Sequence, residues 1–182
     1  MTTAQYIDVI NNRYKLGNAT EHTFRGELTN LIESLVPDIK ATNEPKRQKC
    51  GAPDYILSRA EIEVGYIEAK DIGDIDLEGK KKNKEQFDRY KNGLPNIIFT
   101  DYVSFYFYRE GQLITHISIG NITDKGILPT TENFNQFENL IRKKRSTNHR
   151  LNYGKNTQSK SGDSSRHSGE IGDSVCGGKA KW

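Results

Sequence analysis

Apolar residues recur along the first 145 positions in two rhythms, a helical one and a strand one, and the switches between them delimit the elements. Tyr6, Ile7, Val9, Ile10 and Tyr14 make a helical stripe over residues 5–14, ended by Gly17-Asn18. Phe24, Leu28, Leu31, Ile32 and Leu35 fall at i, i+4, i+7, i+8 and i+11. That spacing predicts an amphipathic helix, capped by Thr20 or Thr23 and stopped by Pro37. Ile39–Asn43 reads as a strand. Residues 53–57 and 63–70 are short apolar runs separated by Ser58-Arg59-Ala60, a hairpin pattern. A helix is expected over 82–91, since Asn92-Gly93 and then Pro95 supply a stop. Asn96–Thr100 is a short apolar run of the buried, parallel type. Residues 103–108 and 113–119 flank Arg109-Glu110-Gly111-Gln112 as a second hairpin, and 131–145 carries Phe134, Phe137, Leu140 and Ile141 at helical spacing. The order predicts an α/β domain over 1–145, with a mixed central sheet flanked by helices.

Past Ser146 the rhythm disappears into Ser, Gly, Lys and Asn, so residues 146–182 are expected to be a disordered tail or linker. Composition sharpens this division. The chain is 34% apolar over 182 residues, low for a compact protein, and the deficit lies in the tail. Through residue 145 there are 21 Lys/Arg and 21 Asp/Glu, so the formal +3 comes from the tail and the predicted domain is neutral. A neutral domain does not coat nucleic acid by bulk charge.

Candidate chemistry centres on Pro53-Asp54 and Glu68-Ala69-Lys70. Side chains two apart on a strand share a face, so Glu68 and Lys70 project together while Ala69 turns away, and Asp54 at the start of the partner strand reaches them. Two carboxylates and an amine at the ends of neighbouring strands suit a hard divalent cation and a water held against a phosphodiester. The plain alternative is a Glu–Lys pair at a solvent edge. Gln86 and Tyr90, four apart on the helix that follows, share one face. An amide and a ring placed so can touch a nucleic-acid strand, or can be ordinary helix surface and packing.

Pro53-Asp54, Glu68-Ala69-Lys70 and Gln86-Phe87-Asp88-Arg89-Tyr90 resemble, in order, the motifs of the PD-(D/E)XK nucleases and the trailing Q-x-x-x-Y of their RecB-like branch. Gly51-Ala52-Pro53-Asp54, Gly65-Tyr66-Ile67-Glu68-Ala69-Lys70 and Thr100-Asp101-Tyr102 look closest to the N-terminal endonuclease domain of type ISP and type IIG restriction-modification enzymes. The likeness spans about residues 20 to 120. It implies a restriction-endonuclease-like core and Mg²⁺- or Mn²⁺-dependent DNA cleavage. Asp54 and Glu68 would bind the ion, the Ala69 carbonyl and Glu27 would add to its shell, and Lys70 would act on the water or the phosphate. Gln86 and Tyr90 would position the DNA. Those enzymes continue into methyltransferase and target-recognition domains, and this sequence carries no Asn-Pro-Pro-Tyr-like or glycine-rich S-adenosylmethionine signature. Two other readings stand beside the endonuclease: a non-catalytic module that grips DNA or a methyltransferase or specificity partner, and an end-dependent exonuclease.

Basic clusters fit a local phosphate track. Lys46-Arg47-Gln48-Lys49 precedes the Pro-Asp, and Lys80-Lys81-Lys82-Asn83-Lys84 follows the Glu-Ala-Lys strand. Lys46, Arg47, Lys49, Lys81, Lys82 and Lys84 are therefore expected on the cleft rim against DNA backbone. Arg142-Lys143-Lys144-Arg145 is instead what the C-terminus of a helix favours. Cys50 and Cys176 make no disulfide framework, and the four histidines form no ligand pair at metal spacing. With no signal segment or membrane-length apolar run, a cytoplasmic, membrane-independent protein is expected.

Overall fold

The computed structural model describes residues 1–46 and 50–143. Arg47, Lys49 and the expected tail from residue 146 lie outside the described residues. Thr2 starts helix α1 (Thr3–Tyr14) by accepting the Gln5 N–H, while the Gln5 side chain accepts the Thr2 N–H, a reciprocal cap. A 3-10 turn (Glu21–Phe24) runs into α2 (Arg25–Leu35). Strands β1 (Ile39–Asn43), β2 (Tyr55–Arg59) and β3 (Ile62–Ala69) follow, then α3 (Lys84–Gly93) and β4 (Asn96–Thr100). The hairpin β5 (Ser104–Arg109) and β6 (Gln112–Ser118) comes next, then a small hairpin of β7 (Gly120–Thr123) and β8 (Gly126–Pro129), and α4 (Phe134–Arg142).

The six strands β1 to β6 lie side by side in chain order. Only β3 and β4 run parallel, because α3 and its loops carry the chain back between them; the other neighbours are antiparallel. The mixed α/β sheet is thus as expected, with helices on both faces. Tyr6, Ile7 and Ile10 of α1, Leu28, Leu31 and Ile32 of α2 and Phe137 of α4 share one buried cluster with Ile67, Ile98 and Phe105 of the sheet. Phe87, Tyr90 and Leu94, from α3 and its end, form the other with Ile56, Tyr66 and Phe99. There Phe87 stacks on Phe99 at 3.8 Å between ring centroids.

Two local features differ from the sequence pattern. The first hairpin turns at Ala60-Glu61, and β2 runs through Ser58 and Arg59 because β1 pairs along its other edge as far as Ile39↔Arg59. The β7–β8 hairpin has no strand rhythm to announce it. It is held from outside, by the Asn11 side chain accepting the Ile127 N–H at 2.9 Å and by burial of Ile127.

Candidate active site

The site forms at the C-terminal end of β3. The β2–β3 ladder pairs Tyr55 with Ile67, so one step further Asp54 stands opposite Glu68, on the same sheet face. Asp54 Oδ2 accepts the Ala69 N–H at 2.8 Å, which ties the start of β2 to the end of β3. Lys70 Nζ lies 2.6 Å from Glu68 Oε1, and Gln86 of α3 closes a triangle: its Nε2 donates to Glu68 Oε1 at 2.6 Å and its Oε1 accepts from Lys70 at 3.1 Å. Asp54, Glu68, Lys70 and Gln86 therefore lie together at one strand end.

Burial sets the electrostatics. Glu68 is 3% exposed, and desolvation, followed by the charge of Asp54, pushes its carboxyl up to about 7 against the pull of Lys70. Its Oε2 is buried with no hydrogen-bond partner. Desolvation raises Asp54 too, and the Ala69 amide and the Arg25 guanidinium offset only part of that.

Glu27 does not join this group. It lies roughly 200° round α2 from Arg25 and pairs with Arg13 Nη2 at 2.6 Å, toward α1. Glu21 is the acidic side chain from this region that approaches Asp54. Arg25 Nη2 donates both to Glu21 Oε1 at 2.9 Å and to Asp54 Oδ1 at 2.5 Å, and Nη1 donates to Glu44 Oε1 at 2.8 Å. Sequence reading passed over Glu21 and Arg25. Their i, i+4 spacing was visible, but such pairs are common on helix surfaces and only the fold places this one beside Asp54.

Tyr90 has a different setting from the expected strand contact. It is 1% exposed, and its ring packs against Gly51, where a Cβ would come within 2.9 Å of Cε1. Gly51 has φ +132°, so both shape and backbone demand glycine there. With Arg89 Nε donating to the Cys50 carbonyl at 2.7 Å, Tyr90 props the segment that leads into Pro53-Asp54. Asp101 and Tyr102 brace the other side. Asp101 accepts the N–H groups of Gly73, Val103 and Ser104, holding the loop after Lys70, and the Tyr102 hydroxyl donates to the Glu21 carbonyl at 2.7 Å.

Of the lysines expected on a rim, Lys46, Lys81, Lys82 and Lys84 are among the described residues, and all four are exposed. Lys82 pairs with Asp74 at 2.9 Å and Lys84 with Asp88. Asp76 shapes this loop by accepting the backbone N–H groups of Lys80, Lys81 and Asn83. An apolar groove of about 260 Å³ is lined by Ile32, Ile97, Phe107 and Leu140 and includes none of these residues.

Among the described residues, no three Asp, Glu, His or Cys side chains converge as a ready cation cage. The donor set still suits a hard ion. Glu68 Oε2 is a buried acceptor without a partner, and Asp54 Oδ1 already holds a positive charge, that of Arg25. No described helix is long and apolar enough to cross a membrane.

No family model matches the sequence, and no curated protein matches it. Among solved structures, the cryo-EM structure of a DrdV–DNA complex is similar in fold, with a TM-score of 0.50 and 19% sequence identity over 65% of this chain. The chain spans 12% of the length of that protein. At this identity the likeness defines a shared α/β fold, with part of a protein solved on DNA.

Proposed function

We propose that the chain is a Mg²⁺- or Mn²⁺-dependent DNA endonuclease domain of the restriction-modification type, built on a PD-(D/E)XK site. The observation that carries this reading is the meeting of Asp54, Glu68, Lys70 and Gln86 at one strand end, with a partnerless carboxylate oxygen among them. The fold shared with part of a DNA-bound protein supports DNA as the substrate.

In this reading Asp54 and Glu68 hold the divalent ion, with the Ala69 carbonyl as a further oxygen. The bound ion supplies charge neutralisation at the phosphodiester and a more acidic water. Lys70, held beside Glu68, would point its Nζ toward the phosphoryl oxygens, where negative charge builds. Gln86 fixes both Glu68 and Lys70, so their geometry is set before substrate arrives. Tyr90 acts beneath the site, holding the turn before Asp54. Lys46, Lys81, Lys82 and Lys84 meet backbone phosphates on the rim.

Incubating the pure protein with circular and linear DNA, in Mg²⁺ or in EDTA, tests the reading. Metal-dependent nicking of circles is expected. Digestion only from ends would make it an exonuclease, and retention without cutting would make it a binding module.

A further inference from the structure

Arg25 has no part in the chemistry just described, yet it occupies the middle of the site. Its side chain is 7% exposed and its guanidinium touches three carboxylates, those of Glu21, Glu44 and Asp54. Asp54 Oδ2 is committed to the Ala69 amide, which leaves Oδ1 as the oxygen free to bind an ion, and Arg25 Nη2 sits 2.5 Å from it. Two cations cannot share that oxygen at such range without strong repulsion. Arg25 also has somewhere to go. Glu44 is 68% exposed at the end of β1, so it can keep its hold while the guanidinium leaves Asp54, and the buried Nε has no partner to lose.

We propose that Arg25 is a built-in placeholder for the divalent ion: guanidinium and ion compete for Asp54 Oδ1, and loading the ion leaves Arg25 held by Glu21 and Glu44 alone. The inference rests on the cation reading above. It makes the free protein a weaker binder of metal than its carboxylates alone would be, because each ion must first displace a resident charge.

Titrating DNA-free protein with Mn²⁺, followed by electron paramagnetic resonance, reads the competition without reference to cleavage. Arg25→Gln should bind at least about tenfold more tightly than wild type, and the added Asp54→Asn change should abolish that binding. Arg13→Gln removes an equal charge from the pair with Glu27 and should change affinity less than about twofold. Equal tightening in Arg13→Gln, or unchanged affinity in Arg25→Gln at an Asp54-dependent site, overturns the placeholder and leaves the metal site standing. Absence of any Asp54-dependent Mn²⁺ binding in both wild type and Arg25→Gln removes the cation reading, and this inference with it. If Arg25→Gln does not fold, wild-type protein suffices. Its Arg25 Nε–H resonance should move with the Ala69 amide as Mg²⁺ is added, and a stationary Arg25 signal while Ala69 shifts refutes the exchange.

Discussion

Asp54 and Glu68 face each other across one strand pair, and burial raises both carboxyls, but their partners differ. Asp54 is saturated, with one oxygen on the Ala69 amide and the other on a guanidinium. Glu68 has one oxygen crowded by Lys70 and Gln86 and the other with no partner. The lesson is that partners as well as burial set the cost, Asp54 being 14% exposed and Glu68 3%. A paired buried charge is part of the scaffold, whereas a half-paired one is held there at the expense of stability and is justified by use.

The most severe way to break this contrast is to neutralise each carboxylate. Asp54→Asn and Glu68→Gln should each reduce Mg²⁺-dependent nicking by roughly a thousandfold or more, measured on supercoiled plasmid. Their stabilities should diverge. Asp54→Asn strips a partner from the buried Arg25 and should lose about 2 kcal/mol in urea unfolding, cushioned by Glu21 and Glu44. Glu68→Gln should gain stability at alkaline pH. A loss of the same size in both would erase the distinction.

Titration sharpens the same point. Glu68 has its folded value raised to about 7 from an ordinary 4.5, so the native state binds the extra proton. Its contribution to stability is complete below the unfolded value and is lost as pH rises through the folded one. Wild type and Glu68→Gln should therefore be alike below pH 4.5 and separate by about 3 kcal/mol by pH 8, with the variant more stable. A constant difference across that range would mean that burial of the charge is not the cause.

A lesser effect comes from the prop beneath Asp54. Gly51→Ala forces a Cβ against the Tyr90 ring at a left-handed φ and should destabilise by about 2 kcal/mol in urea unfolding, with cutting reduced because Asp54 is displaced. The smallest effect is expected on the rim. Lys82→Gln should leave stability within about 0.5 kcal/mol and reduce the salt dependence of DNA binding by about one phosphate contact, read from affinity against salt concentration.

How far the pattern could be read depended on whether the decisive contacts were local. The helix carrying Leu28, Leu31 and Ile32, the run Asn96–Thr100 and the Glu68–Lys70 pair were legible because face and period follow from backbone geometry within one element. Asp54 was legible because a hairpin brings its ends together by register. The β7–β8 hairpin was not, since it is stabilised by Asn11, more than a hundred residues away. Tyr90 offered two readings on the helix face, and its burial depended on where the Gly51 turn passes.

The two glutamates near the start of α2 show the boundary most clearly. Both Glu21 and Glu27 precede or open α2, and nothing in the chain ranks them. Packing of α1 against one side of α2 gives Glu27 to Arg13, while Tyr102 and Asp54 draw the Glu21–Arg25 end to the sheet. The amino-acid order alone determined which residues could form helix, strand and a cation-compatible carboxylate pair, because those are properties of neighbours. Tertiary structure alone decided which charges meet across elements, above all that Arg25 lies on Asp54, because long-range electrostatics depends on positions that the chain acquires only on folding.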